Sequence, residues 1–138
     1  MQLEFHHINY VSENIEELDI FYQDIMQMQT ISPTKFPRTT ATEKTGYDGK
    51  IKFVTEGTMQ MHLAEQDLTV ATNHNQEINP VEKGHIAFRT DDIEEFKSLL
   101  RKKNIQFSDY GTAFAKKWYQ IFFRDPVGNV IEVHQLVG

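Results

Sequence analysis

The chain has 138 residues, of which 39% are hydrophobic, 12% aromatic and 25% charged, so it is long and apolar enough for one globular domain with its own core. Its formal net charge of -6 argues against a nucleic-acid partner, because phosphates favour a basic surface. The sequence has no cysteine, which excludes disulfides and thiolate ligands. No membrane-length apolar run or secretory signal is visible, so we expect a cytoplasmic protein without a membrane partner.

A strand and a helix are predicted near the start of the chain. Residues 3–11 alternate and are rich in Phe, Ile, Tyr and Val, which is typical of a strand. Asn14, followed three residues later by Glu17, makes a capping-box signature for the start of a helix. The helix is further predicted by an apolar stripe at helical spacing, formed by Ile15, Leu18, Tyr22 and Ile25.

The next part of the chain combines two strands with two polar stretches. Residues 30–50 are polar and too many for a plain turn, and loops of this length often cover binding sites, so we expect a lid. Strands are predicted at 51–55 and 58–65. The polar residues 67–83 then predict a linker.

The second half repeats the pattern of the first. "HHINYVSENIEEL", which begins at His6, aligns with "GHIAFRTDDIEEF", which begins at Gly84, so that His7 matches His85. The repeat predicts a strand at 85–90 and then a helix capped by Asp92, with Ile93, Phe96 and Leu100 as its apolar stripe.

Three further strands are predicted at 105–110, 118–124 and 130–136, and the turn sequence "DPVGN" separates the last two. Strand, helix and about three strands therefore occur twice, which indicates two related modules. We place module one at 1–66, the linker at 67–83 and module two at 84–138.

The two matched histidines are candidate ligands. Strand side chains alternate between the faces of a sheet, so His7 is expected to share a face with Phe5 and Asn9, and His6 to face the other way. If a pseudo-twofold axis relates the modules, the imidazoles of His7 and His85 can converge on it.

The last strand of each module carries another candidate, His62 in the first and Glu132 in the second. Together with His7 and His85 they could form one divalent-metal site, and such ligands suit Zn, Ni, Fe or Mn. The subset His7, His85 and Glu132 is also the two-histidine, one-carboxylate set used in non-haem Fe(II) oxygen chemistry.

These residues also have structural interpretations. A single strand histidine such as His62 is about as often a hydrogen-bonded polar residue as a ligand. Glu132 could be a salt-bridge partner, and His134, on the same face, could support Glu132 or lie at the surface. The joint pattern over two modules favours the metal site.

Three segments, "FHHINYVSENIEELDIFYQDIM", "KGHIAFRTDDIEEF" and "FRDPVGNVIEVHQ", resemble the vicinal oxygen chelate superfamily of glyoxalase I, bleomycin-resistance proteins and extradiol dioxygenases. The resemblance implies an α+β fold of two βαβββ modules whose curved mixed sheets surround a central cleft. It also implies a homodimer, since many members of this length build their sites across the dimer interface. Carried over residue by residue, it implies one divalent metal ion held by His7, His62, His85 and Glu132.

The resemblance leaves four functions open. The first is a metal-dependent lyase or isomerase of the glyoxalase I (lactoylglutathione lyase) type, which binds a small substrate through adjacent oxygens and moves a proton with Glu132 or His62. Glyoxalase I enzymes carry Glu or Gln where His62 stands, which is a departure from the first function. The second function is an Fe(II) extradiol-type dioxygenase, which uses three ligands. The third is a fosfomycin-type thiol transferase, and the fourth is a metal-free antibiotic-binding resistance protein.

Overall fold

The protein is described by a computed structural model for residues 1–39 and 46–138. Its strands are β1 (Leu3–Ser12), β2 (Gln29–Thr30), β3 (Ile51–Thr55), β4 (Gln60–Glu65), β5 (His85–Thr90), β6 (Phe107–Gly111), β7 (Trp118–Arg124) and β8 (Val130–Leu136). Its α-helices are α1 (Ile15–Asp24), α2 (Val70–Asn73) and α3 (Ile93–Lys102). No helix within these ranges has the length and apolar character that a bilayer crossing requires.

Strands from both halves form one continuous sheet in the order β2-β3-β4-β1-β5-β8-β7-β6. The first strands of the two halves, β1 and β5, pair antiparallel in the middle, and each lies parallel to the last strand of its own half. The predicted α+β class and the glyoxalase-like architecture are confirmed, with the added finding that the sheets of the two modules join. The module limits drawn at 66 and 84 remain predictions.

The helix starts follow the predicted capping pattern. The side chain of Asn14 accepts a hydrogen bond from the backbone N–H of Glu17 at 3.2 Å, and that of Asp92 accepts one from Glu95 at 3.0 Å. Each bond satisfies a helix-terminal donor that would otherwise lack a partner. Ile25, which we expected to extend the stripe of α1, lies beyond the end of the helix and is 62% exposed.

The two long helices pack against one face of the sheet, and the polar residues of the site occupy the other. Ile15 of α1 packs with Val54 and Leu63, whereas Phe96 of α3 packs with Val133. Because strand side chains alternate, the neighbours of Val133 on β8 point away from α3. The uncovered face of the central strands is therefore available for a cleft.

Two polar stretches contribute more structure than a linker and a lid would. The predicted linker at 67–83 contains α2, and its Val70, Ile78 and Val81 belong to the buried core. Residues 40–45 of the predicted lid lie outside the described residues. The flank before these residues contains a 3-10 turn at Pro33–Lys35. The flank after them reaches back to the sheet, where Tyr47 donates its hydroxyl hydrogen to the backbone oxygen of Glu65.

Strand starts differ slightly from prediction where side chains intervene. β4 begins at Gln60 rather than at 58, because the carboxylate of Glu56 accepts the backbone N–H of Thr58 at 2.6 Å and of Met59 at 2.7 Å. These bonds extend the turn by two residues. The strand predicted at 105–110 begins at Phe107.

The first strand carries a β-bulge at His6. Phe5 lies opposite Phe88, but His7 lies opposite Ala87, so two steps along β1 match one step along β5. An extra residue of this kind reverses the alternation of faces at that point. The expectation that His7 shares a face with Phe5, and that His6 points the other way, is therefore wrong: the His6 ring contacts the His7 ring.

Candidate metal centre

Strand register places the predicted ligands in two cross-strand rows. In the first row, Ala87 on β5 lies directly between His7 on β1 and Glu132 on β8. The small side chain of Ala87, which is fully buried, leaves the two larger ones free to approach each other over it.

In the second row, Asn9 on β1 lies between His85 on β5 and His62 on β4. The repeat makes Asn9 the counterpart of Ala87, since each stands two residues after its matched histidine. His62 and Glu132 thus hold equivalent positions in the two modules, but a larger residue stands between His62 and its row partner.

The side chains of His7, His85 and Glu132 converge. Each offers one donor atom, and these three atoms lie within 4.8 Å of one another. Oε1 of Glu132 is 3.1 Å from Nε2 of His85 and 3.7 Å from Nε2 of His7. The three side chains are 2 to 4% exposed. We call these three residues the ligand cluster, and its donor set could hold a divalent metal ion.

His62 lies beside the ligand cluster. Its ring stacks on that of His7, with centroids 3.7 Å apart and an angle of 14° between the planes. Its Nε2 faces the side-chain oxygen of Gln60 at 3.3 Å. His62 as a fourth ligand therefore remains a prediction, and the described geometry brings together only the other three.

The hydrogen-bond partners of His85 test whether a metal ion fits. Nδ1 of His85 is 3.1 Å from the backbone oxygen of Pro80, which can only accept, so Nδ1 carries the hydrogen. In the neutral ring, Nε2 then directs a lone pair at Oε1 of Glu132 only 3.1 Å away. A cation between these two atoms removes the repulsion, and a histidine whose other nitrogen donates to a carbonyl is the usual arrangement of a metal ligand.

Electrostatics also suit a cation. Burial, with a contribution from His62, lowers the pKa of His7 well below 6.5, and burial lowers the pKa of His62 to about 3. Burial acts to raise the pKa of Glu132, but the facing imidazoles of His7, His134 and His85 outweigh it and hold the pKa well below 4.5. One carboxylate charge therefore lies buried beside the neutral rings of His7 and His62 at neutral pH, and the neutral ring is the form that binds metals.

A second layer of polar residues lies behind the ligand cluster. His134 is fully buried, and its Nδ1 is 2.7 Å from Oε2 of Glu132. Arg89 donates from Nε to Nε2 of His134 at 3.0 Å and from a terminal nitrogen to Nε2 of His6 at 3.0 Å. The sequence alone leaves the role of His134 open, and its one signal for Arg89 is a cation within the mostly apolar strand 85–90.

A narrow cleft opens in front of the ligand cluster. Most of its wall is aromatic or aliphatic, and the flanks of the predicted lid supply Phe36, Arg38 and Tyr47. Asn9 and Gln120 also line it, and each has a buried side-chain oxygen without a hydrogen-bond partner in the described part of the chain. Unpaired buried oxygens are costly, so a polar ligand in the cleft would relieve them.

Comparison with known proteins finds one family model that matches most of the chain. The family model described as "Glyoxalase/Bleomycin resistance protein/Dioxygenase superfamily" matches residues 4–133. None of the curated proteins matches the chain.

Several solved structures share the fold. A hypothetical protein from Bacillus halodurans C-125 is 16% identical with a TM-score of 0.67, and the match covers 98% of this chain and 95% of that one. Methylmalonyl-CoA epimerase from Mycobacterium tuberculosis is 13% identical with a TM-score of 0.67, covering 98% and 89%. A catechol 2,3-dioxygenase is 14% identical with a TM-score of 0.55, covering 96% of this chain and 40% of that one.

Proposed function

Because the chain belongs to the glyoxalase/bleomycin resistance protein/dioxygenase superfamily, we propose that it is a divalent-metal-dependent enzyme that binds a small substrate through two adjacent oxygen atoms. The observation that carries the proposal is the buried ligand cluster of His7, His85 and Glu132 at the base of the cleft. A divalent ion held there would act as a Lewis acid on the substrate oxygens.

His62 is the residue that we assign to proton transfer. It lines the cleft next to His7, and its pKa of about 3 keeps the ring unprotonated, so that it can accept a proton from the carbon beside the bound oxygens. Such a ring is a weak base, so the substrate proton has to be acidified for the transfer to proceed. Oε2 of Glu132 is engaged by His134 and Oε1 faces His85 in the ligand cluster, so Glu132 is less free to move a proton.

The aromatic wall supports this chemistry. The Phe36 ring packs edge-on against His62, with centroids 5.9 Å apart, and against Trp118 at 4.9 Å. Apolar groups over the cleft exclude water, and this strengthens the electrostatic interactions inside it.

Proton transfer without net oxidation makes a lyase or isomerase of the glyoxalase I type the first candidate. We expect one divalent ion per chain in protein purified without added metal, and isomerisation of hemithioacetals or α-hydroxycarbonyls that continues in anaerobic buffer. Loss of all turnover when oxygen is removed would exclude this reaction class.

His85→Gln should lose the metal, whereas His62→Gln should keep the metal and lose turnover. A metal lost in both variants would make His62 a ligand, as the sequence pattern predicts.

An Fe(II) extradiol-type dioxygenase is the second candidate. The specific observation in its favour is that two histidines and one carboxylate converge while His62 lies outside the cluster. The test is oxygen uptake with a panel of catechols after anaerobic loading with Fe(II). No uptake across the panel would exclude it.

Two further functions are distinguished by composition and co-substrate. A metal-free antibiotic-binding protein would contain no stoichiometric metal, and a thiol transferase would require a thiol co-substrate. We also propose a homodimer, as the resemblance implies, and a cytoplasmic location.

A further inference from the structure

We propose that Arg89 is a positioning residue for the ligand cluster. Its guanidinium fixes the tautomer of His134, and His134 in turn holds Glu132 with one oxygen directed at His7 and His85. The proposal rests on the proposed metal function, because what Arg89 positions is the carboxylate ligand.

Strand register and stacking hold Arg89 in place. Arg89 on β5 is the direct cross-strand partner of His134 on β8. Its guanidinium carbon lies 5.1 Å from the centre of the Trp118 ring. The same indole stacks on the His134 ring, with centroids 4.4 Å apart and 21° between the planes. Cation–π attraction and stacking therefore restrict the guanidinium and the imidazole that it contacts.

The chemistry of the guanidinium determines the tautomer of His134. Arginine can only donate, so Nε2 of His134 must accept the hydrogen bond from Arg89 Nε at 3.0 Å. The hydrogen of the neutral ring then sits on Nδ1. This nitrogen is 2.7 Å from Oε2 of Glu132 and donates to it.

The consequence falls on Glu132. With Oε2 engaged by His134, Oε1 is the oxygen that faces the nitrogens of His85 and His7, at 3.1 Å and 3.7 Å. If His134 took the other tautomer, its Nδ1 lone pair would repel Oε2 and the carboxylate would turn. Outer partners that orient a ligand in this way typically change metal affinity by about 10–100-fold.

The second donor of the guanidinium acts differently. It contacts Nε2 of His6, whose Nδ1 is 2.8 Å from Nδ1 of His7. Because Nε2 of His6 accepts from Arg89, the hydrogen of a neutral His6 sits on Nδ1 and is donated to Nδ1 of His7. The hydrogen of a neutral His7 then sits on Nε2, which faces the cluster. A metal ion at that atom requires this hydrogen bond to rearrange. A test of Arg89 must therefore separate its effect through His134 from its effect through His6.

A double-mutant cycle makes this separation. In His134→Asn, the side-chain amide offers a donor near the former Nδ1 whether or not Arg89 is present. We expect Arg89→Gln to lower Zn²⁺ affinity about 10–100-fold in the native background. In the His134→Asn background, the loss of affinity caused by Arg89→Gln should be at least tenfold smaller. Equal changes in affinity on Arg89→Gln in the two backgrounds would overturn the proposal, because the route through His6 is the same in both.

Affinity is measured by competition with a chromophoric chelator, and the visible spectrum of the Co²⁺-loaded protein reports the ligand geometry. We expect Arg89→Gln to shift the Co²⁺ bands, and unshifted bands would count against the proposal. Arg101→Gln is the matched control, because Arg101 is exposed near Phe107 and should change neither reading. Thermal unfolding shows whether each variant is folded. If Arg89→Gln does not fold, Arg89→Met replaces it, since methionine keeps an apolar stem beside Trp118 and removes both donors.

A metal-independent measurement distinguishes failure of this inference from failure of the proposed function. Long-range ¹H–¹⁵N spectra of ¹⁵N-histidine protein without metal should show His134 as the Nδ1–H tautomer. An Nε2–H tautomer in a protein that binds metal would overturn the inference alone. A protein that binds no Zn²⁺ but shows the Nδ1–H tautomer would overturn the proposed function and leave the orientation of Glu132 by Arg89 standing.

Discussion

Positions 9 and 87 are matched in the repeat but hold residues of different size. Ala87 lies between His7 and Glu132, whereas Asn9 stands at the matching place between His62 and His85. We infer that the larger Asn9 keeps His62 beside the ligand cluster.

Shortening Asn9 should therefore recruit His62. We expect Asn9→Ala to raise Zn²⁺ affinity and to alter the Co²⁺ spectrum as a fourth ligand joins. The cost in stability should be small, because the side-chain oxygen of Asn9 has no partner within the described residues. Asn9→Leu, which retains the bulk, should show no gain in affinity. An affinity in Asn9→Ala at or below that of the native protein would show that something other than Asn9 keeps His62 apart.

At the scale of elements, the row across β1, β5 and β8 requires a small residue in its middle strand. We expect Ala87→Val to push His7 and Glu132 apart, to weaken metal binding on the order of tenfold, and to cost about 1–3 kcal/mol of unfolding free energy through overpacking. Metal titration and chemical denaturation measure the two effects.

Ala87→Gly is the control for that change. It keeps the space and should retain the metal, at a cost of about 0.5–1 kcal/mol for a glycine within a strand. Metal binding as tight in Ala87→Val as in the native protein would mean that the two ligands do not meet over this position.

Some elements were predictable because their signals are local. Alternation gave the limits of β7 and β8, and Asn14 and Asp92 marked the helix starts through hydrogen bonds to nearby backbone groups. The bulge at His6 was not predictable, because an extra residue in a ladder leaves the sequence alternation unchanged.

The candidate site divides in the same way. His7 and His85 were predictable from the repeat as matched positions on matched strands, and Glu132 from its place on the last strand of the second module. The position of His62 beside the cluster and the proposed role of Arg89 depend on cross-strand neighbours, which the pairing of β1 with β4 and β5 and of β5 with β8 creates.

At the scale of the whole molecule, one chain supplies the complete ligand cluster. β1 and β5 pair within the chain, so His7 and His85 reach each other without a second copy. The homodimer that the resemblance implies stays a prediction, and so does any contribution of a second copy to the site.

Metal content should therefore be independent of assembly. We expect one divalent ion per chain at concentrations where the protein is a dimer and at those where it is a monomer. Light scattering coupled to size exclusion, with elemental analysis of each peak, measures both quantities. Release of the ion on dissociation, or one ion per two chains, would indicate that a partner contributes to the site.

Gly84 stands where the repeat places His6, and a Cβ added to it would lie 2.5 Å from the backbone oxygen of Asn9. A tandem gene made of two identical copies of residues 84–138 would encode glycine at both places, so Arg89 would lose its second imidazole. Two copies of the first half would instead place a histidine, the counterpart of His6, where Gly84 stands, and its Cβ would clash with the backbone oxygen of Asn9. If the chain arose by internal duplication, its halves have since diverged into complementary parts, and neither can now substitute for the other.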